Sequence, residues 1–156
     1  MKIASATALV LALCIATPAL AGDKAVEAPI FKFIDSFNKG DEPGATATMA
    51  PSVAIIDEFS PHLWTGVGAF KTWSAAYDKD AAAKGITDPK VVISTPTREV
   101  IAGSHAYVIV PAVYTFKQKG VAMSETAQMT LTLMKNAKGW KITGWTWTGP
   151  NPSPVK

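Results

Sequence analysis

Asp57 is the side chain whose position best suits chemistry. It follows the apolar run 53–56, and Gly66 comes nine residues later. A carboxylate at the end of an apolar strand can face an apolar cavity, where burial raises its pKa toward the range of a general base. Asp57 can equally cap the turn that Glu58 begins, or point to solvent, because Asp is common in turns. The residues alone leave these alternatives open.

Aromatic side chains give the stronger indication of a ligand pocket. Phe70, Trp73 and Tyr77 repeat at helical spacing, and Trp145 and Trp147 share one parity in a strand-like segment. Such residues can simply pack a core. If they line a cavity, the cavity favours a flat or apolar small molecule.

Motifs for other kinds of chemistry are absent from the sequence. His62 and His105 are the only histidines, and they form no HxH or HExxH pattern. There is no Ser-His-Asp order, phosphate-binding loop or dinucleotide fingerprint. We therefore predict no metal and no cofactor.

Residues 1–21 have the pattern of a signal peptide. Lys2 precedes the apolar run 3–16, and the segment ends in Ala19-Leu20-Ala21, which predicts cleavage after Ala21 and a periplasmic or secreted protein. The run is shorter than the roughly 20 residues that span a bilayer, so no membrane anchor is expected after cleavage. Cleavage would also remove Cys14, the only cysteine, and with it any disulfide or thiolate site.

The charge of the remaining chain is close to neutral. Without Lys2, 14 of the 15 basic residues face 12 acidic ones, which gives +2. The charges are scattered, so we predict no nucleic-acid partner. Residues 22–149 are expected to form one domain, with loose ends at 22–27 and in the proline-rich tail 150–156.

The first half of the chain has helical patterns. Apolar residues recur at three- and four-residue steps from Val26 to Lys39, and Asp41 with Pro43 indicates a short second helix reaching about Met49. A strand is predicted over 53–56, and a third helix from Gly66 to about Ala83. An irregular turn is predicted at 60–62, before Leu63 and Trp64.

The second half has strand patterns. Four runs rich in Val, Ile, Thr and aromatic residues cover 91–101, 104–117, 123–135 and 140–148, with short turns between them. Short connections indicate an antiparallel meander. The predicted fold class is α+β, with three helices packed on a curled sheet.

The strand from His105 to Tyr114 is apolar on both faces. We predict that Val108, Val110, Ala112 and Tyr114 lie on the side away from the helices and need cover there. A second subunit is a natural cover, which predicts a homodimer, although the tail or a loop could serve instead.

The element order and several short motifs resemble the nuclear transport factor 2-like superfamily, particularly its SnoaL-like and ketosteroid-isomerase-like branch. The resemblance is carried by Phe33 with Gly40-Asp41, the strand ending at Asp57, Trp64-Thr65-Gly66, and the two ending motifs Gly139-Trp140-Lys141-Ile142 and Trp145-Thr146-Trp147. It implies a cone-shaped barrel of a curved, mostly antiparallel sheet with a central pocket. It also implies dimerisation through the outer sheet face.

The same resemblance gives Asp57 the position of the catalytic base in ketosteroid isomerase. The oxyanion donors of that enzyme do not match, because Phe33 stands where its tyrosine would be and Leu131 where its second aspartate would be. Loss of both donors argues against steroid isomerisation by that mechanism.

The resemblance also puts His105 and Tyr107 on the concave face, where His105 would be a second catalytic candidate. The side chains predicted to bind a ligand are Phe33, Trp64, Trp73, Tyr77, Tyr107, Met129, Leu131, Trp145 and Trp147. The leading hypothesis is an exported domain that binds a small, largely apolar molecule. The alternatives are a cofactor-free isomerase, lyase or cyclase using Asp57 as general base, and a structural or interaction domain whose own aromatic residues fill the cavity.

Overall fold

A computed structural model describes residues 22–155, so the predicted signal peptide and Cys14 lie outside the described residues. The described chain contains three helices and eight strands. They are α1 (Lys24–Asn38), α2 (Glu42–Thr46), β1 (Met49–Ile56), β2 (Leu63–Val67), α3 (Ala69–Lys84), β3 (Ile86–Ile93), β4 (Arg98–Ala102), β5 (His105–Gln118), β6 (Val121–Asn136), β7 (Gly139–Thr148) and β8 (Ser153–Pro154).

The two N-terminal helices begin at aspartate caps. Asp23 accepts a hydrogen bond from the backbone N–H of Ala25 at 2.8 Å, and Asp41 accepts one from Gly44 at 2.9 Å. The prediction of a loose segment at 22–27 was therefore wrong for Lys24–Glu27, which form the first turn of α1. The second helix is shorter than expected, because the chain becomes strand at Met49 and pairs with Ile142 of β7.

The segment before α3 is a strand, which corrects a second prediction. Leu63–Val67 pairs antiparallel with β1, and Gly66 lies opposite Val53 instead of opening the helix. Gly68 is the residue before α3, and its φ of 77° is a conformation that glycine adopts without strain.

A single curved sheet packs against the helices. Its strand order is β2-β1-β7-β6-β5-β3, with β4 paired to β5 and β8 paired to β6. All the pairs are antiparallel except β1 with β7. The predicted run 91–101 is divided into β3 and β4. The α+β fold, with a curved sheet covered by three helices, is confirmed.

The two faces of β5 are the reverse of the prediction. Val108, Val110, Ala112 and Tyr114 are buried on the helix side, whereas Tyr107 and Val113 are exposed on the outer face. The reason is the register with β6, where Val108 pairs with Leu131 and cross-strand partners share a face. The alternation of Thr with Leu and Met in β6 fixes which face is the core.

A bulge in β7 brings its tryptophans to the inner face. Leu133 pairs with Ile142 and Leu131 pairs with Trp145, so three residues of β7 span two of β6. Gly144 lies at this point, where a Cβ atom would be only 2.8 Å from the carbonyl oxygen of Ala54. The close approach of β1 therefore requires glycine here.

The C-terminal tail is ordered against the sheet, contrary to the expected loose end. Ser153 and Pro154 pair with Ser124 and Met123 of β6, and the backbone N–H of Val155 donates to the carbonyl of Ala122 at 2.9 Å. Within residues 22–155, no helix combines the length and the apolar character needed to cross a bilayer.

Candidate functional site

A cavity of about 290 Å³ lies between the helices and the concave face of the sheet and opens to solvent. Nine of its twenty lining residues are aromatic, and Asp57, Glu58 and Asp80 are acidic. The lining residues on the helices and the β1–β2 connection are Phe33, Ile34, Phe37, Asp57, Glu58, Phe59, Trp73, Tyr77, Asp80 and Lys84. Those on the sheet and tail are Ile86, Val91, Tyr114, Phe116, Gln118, Met129, Trp145, Trp147, Asn151 and Pro152.

The inner end of the cavity is a tight aromatic cluster. The ring of Trp145 meets Trp73 edge to face, with centroids 4.9 Å apart, and lies 5.9 Å from Phe33. All three residues are at most 5% exposed. Trp73 and Trp145 are thus in mutual contact, as the filled-cavity alternative requires, but the cavity remains open beside them.

Asp57 lies on the cavity wall with one donor on each carboxylate oxygen. The indole Nε1–H of Trp73 donates to Oδ2 at 2.9 Å, and the backbone N–H of Glu58 donates to Oδ1 at 2.7 Å. The side chain therefore faces the pocket and caps a turn at the same time. Burial raises the pKa of Asp57, and the two hydrogen bonds oppose that rise without cancelling it.

Two glutamates join Asp57 to form an acidic group. Burial within the mouth, together with repulsion from Glu125 and Asp57, raises the pKa of Glu58 to about 7. Glu58 is exposed at the mouth, so water screens part of this effect. Glu125 is 1% exposed, and burial raises its pKa as well, against the hydrogen bond that it accepts from Trp147.

Four further polar side chains of the wall form two pairs. The hydroxyl oxygens of Tyr77 and Tyr114 are 2.9 Å apart, and burial raises the pKa of both phenols. Lys84 forms an ion pair with Asp80 at 2.7 Å. The Tyr pair therefore stays protonated near neutral pH and can donate one hydrogen bond into the cavity.

Four of the predicted site residues lie away from this cavity. Leu131 is fully buried beneath the wall, and Trp64 packs on Phe59 with ring centroids 5.1 Å apart. Tyr107 lies on the outer sheet face, where the guanidinium carbon of Arg98 is 5.8 Å from its ring centroid. His105 is exposed at the start of β5, on the outer-face parity of Tyr107, so the prediction that it lies on the concave face is wrong.

The structure brings the other predicted residues together on the wall. These are Phe33, Asp57, Trp73, Tyr77, Met129, Trp145 and Trp147. Sequence reasoning missed Tyr114 because it put β5 the wrong way round, and it missed Glu125 altogether. The signal for Glu125 was available, since it has the inward parity of Ala127 and Met129 in β6, where a charged residue is unusual.

Within the part of the chain that the structure describes, no three His, Cys, Asp or Glu side chains converge as a metal site.

The fold defines a cone-shaped α+β domain with an open cavity between its helices and its sheet. The model of the SnoaL-like domain matches residues 26–146, and the chain belongs to this family. No curated protein matches the sequence.

Solved structures with the same fold come from distant proteins. A ketosteroid isomerase-like protein from Erwinia carotovora atroseptica is 19% identical, with 82% of this chain and 95% of that one covered at a TM-score of 0.63. A nuclear transport factor 2-like superfamily protein from Salmonella enterica is 15% identical, with 85% and 93% covered at 0.67. The CaMKII hub of S. rosetta is 21% identical, with 86% and 98% covered at 0.66. At these identities the likeness establishes the fold alone.

Proposed function

We propose that this protein binds a small, largely apolar molecule in the aromatic pocket. The observation that carries the proposal is the open cavity of about 290 Å³, whose wall includes Phe33, Trp73 and Trp145. A pocket of this size and lining is typical of small-molecule sites. The persistence of the cavity beside the Trp73–Trp145 contact favours binding over a filled core.

The test is to purify the protein under native conditions and identify any bound small molecule by mass spectrometry. A blocked variant, Ile86→Trp, puts a large side chain on the cavity wall and should lose the molecule. Lys90→Trp, at an exposed position of the same strand, is the matched control and should retain it. Equal retention by both variants would contradict binding in this cavity.

A second candidate is cofactor-free proton transfer with Asp57 as general base. The observation that favours it is the carboxylate on the cavity wall, whose pKa is raised by burial. The Tyr77–Tyr114 hydroxyl pair would then donate to the oxygen that gains charge when a C–H proton leaves. Asp57→Asn should abolish exchange of the ligand's acidic C–H proton with deuterium while leaving ligand binding measurable. Unchanged exchange would exclude this candidate.

Export is part of the same proposal. It is supported by the signal-peptide pattern of residues 1–21. N-terminal sequencing of the mature protein should begin at Gly22.

We also propose a homodimer through the outer sheet face. Val108 and Tyr114 cannot form this interface, because they face the helices. The outer face instead exposes Tyr107 and Val113 on β5, beside Val100 and Val92 on the neighbouring strands. Val113→Lys should convert a dimer to a monomer in sedimentation experiments, and a wild-type monomer would refute this proposal.

A further inference from the structure

The acidic group at the pocket is not matched by free basic groups. Asp57, Glu58 and Asp80 lie on the wall, and Lys84 is the one base on it among residues 22–155. Lys84 is paired with Asp80 at 2.7 Å, and its charge also acts on Glu58. Among residues 22–155, however, Asp57 and Glu58 form no salt bridge of their own.

Glu125 adds a third carboxylate, which is 1% exposed and lies behind the wall instead of lining the cavity. It pairs in register with Tyr114, so it lies on the same inner face of the sheet. Its Oε1 accepts a hydrogen bond from the indole N–H of Trp147 at 2.9 Å, while its Oε2 is buried with no hydrogen-bond partner. The negative charge of Glu125 helps to raise the pKa of Glu58, so the two carboxylates repel each other. A buried carboxylate with an unused oxygen is costly unless a donor or cation reaches the group.

Aromatic rings enclose the space beside these carboxylates. Trp73 and Tyr77 are stacked with centroids 5.8 Å apart, and Phe59 lies 6.0 Å from Tyr77. On the sheet side, Tyr114 and Trp147 meet edge to face at 6.1 Å. The π faces of such rings attract cations, and Trp and Tyr do so more strongly than Phe.

We infer that the pocket selects organic cations: its ligand is a small apolar or aromatic molecule bearing an ammonium group, which is held at Asp57 and Glu58 and against the rings of Tyr77, Tyr114 and Trp147, while Glu125 adds negative charge from behind the wall. The inference rests on the proposed function, because it specifies the charge of the molecule that this pocket binds. An ammonium ion relieves the repulsion among the three carboxylates, whereas a neutral ligand leaves it unchanged.

The test uses two probes of the same shape that differ by one charge. These are para-(trimethylammonio)benzyl alcohol and its neutral carbon analogue, para-tert-butylbenzyl alcohol, titrated into the full chain by isothermal calorimetry. The cation should bind at least about tenfold more tightly. Equal affinity, or tighter binding of the neutral probe, would overturn the cation inference and leave the proposed function standing. Failure of both probes to bind would overturn both.

Variants that each remove one carboxylate test which residues produce the preference for the cationic probe. Glu58→Gln and Glu125→Gln should each reduce affinity for the cation several-fold and leave affinity for the neutral probe unchanged. Glu42→Gln, an exposed position in α2 away from the wall, is the matched control and should change neither. A parallel loss for both probes would indicate damage to the pocket and would contradict the inference.

The pH dependence gives a readout that a purely structural role would not produce. The groups facing Glu58 are Asp57 after β1, Tyr77, Asp80 and Lys84 from α3, Tyr114 from β5 and Glu125 from β6. Glu58 carries a proton for part of the time near neutral pH, so cation binding should release protons. Affinity for the cation should therefore rise between pH 6 and pH 8, by up to about tenfold. A flat profile in wild type would contradict the role of Glu58.

Discussion

The two ends of the pocket are built differently, although strand β7 contributes to both. At the inner end Trp145 is 4% exposed and packs on Trp73 and Phe33. At the mouth Trp147 is half-buried and uses its indole N–H to hold Glu125. The inner end is thus stabilised by apolar burial, whereas the mouth holds charges at a cost to stability. If the pocket binds the cationic ligand proposed above, the mouth is where its charge is selected.

The largest expected effect comes from the inner end. Trp145→Ala removes a buried ring and should lower the free energy of unfolding by about 3–5 kcal/mol. Tyr77→Ala removes a half-buried ring at the mouth and should cost less, about 1–2 kcal/mol. Urea unfolding followed by circular dichroism measures both values. Equal losses would show that apolar burial stabilises the mouth as much as the inner end.

A loss of stability of intermediate size is expected at Gly149, where the tail passes the Glu125 carboxylate. A Cβ atom at Gly149 would collide with the Glu125 carboxylate and would lie 2.9 Å from Cβ of Ala127. Gly149→Ala should therefore cost about 1–3 kcal/mol through overpacking. The same change made in a Glu125→Ala background should cost less, because the collision with the carboxylate is gone and only the close contact with Ala127 remains. A neutral Gly149→Ala variant would show that the tail does not seat on Glu125.

The smallest expected effect concerns stability and pH. The folded-state pKa of Glu58 is raised from 4.5 to about 7, so the folded protein binds more protons than the unfolded chain in this range. Its contribution therefore makes the protein less stable as the pH rises from 4.5 to 7. Glu58→Gln should remove this contribution. As the pH rises from 4.5 to 7, the melting temperature of the variant should therefore fall less than that of wild type, with a difference on the order of 2 °C.

Comparing pH profiles of wild type and variant isolates Glu58 from the other carboxyl groups. Glu42→Gln serves as the control and should keep the wild-type profile. A Glu58→Gln profile that coincides with that of wild type would mean that the pKa of Glu58 is not raised in the folded protein.

The fold was predictable because periodicity and turn residues mark most elements. The helical spacing of Ile30, Phe33 and Ile34 predicts α1, and the alternation of Thr130 and Thr132 with Leu131 predicts β6 and its inner face. The face of β5 was not predictable from β5 alone, since both of its faces are apolar and only the register with β6 distinguishes them.

The candidate site was only half predictable for a related reason. Asp57 and the aromatic residues carry local signals, but the group around Glu58 depends on contacts between distant segments. The Tyr77–Tyr114 pair joins α3 to β5 across 37 positions, and Trp147 reaches Glu125 across 22. The bulge that turns Trp145 inward depends on how β7 fits between two neighbours, which no short pattern in the sequence encodes.

The parallel pairing of β1 with β7 also determines when the domain can become stable. Ile55 of β1 lies beside Trp145 of β7. The sheet therefore becomes continuous only when β1 has paired with β7, which comes late in the chain. Contacts between segments so far apart in sequence form slowly. At about 5–20 residues per second, translation needs roughly 5 to 20 seconds to pass from Ile56 to Thr148. During that interval the apolar faces of α1 and β1 lack the strand that covers them, so the new chain stays open long enough to be received by chaperones.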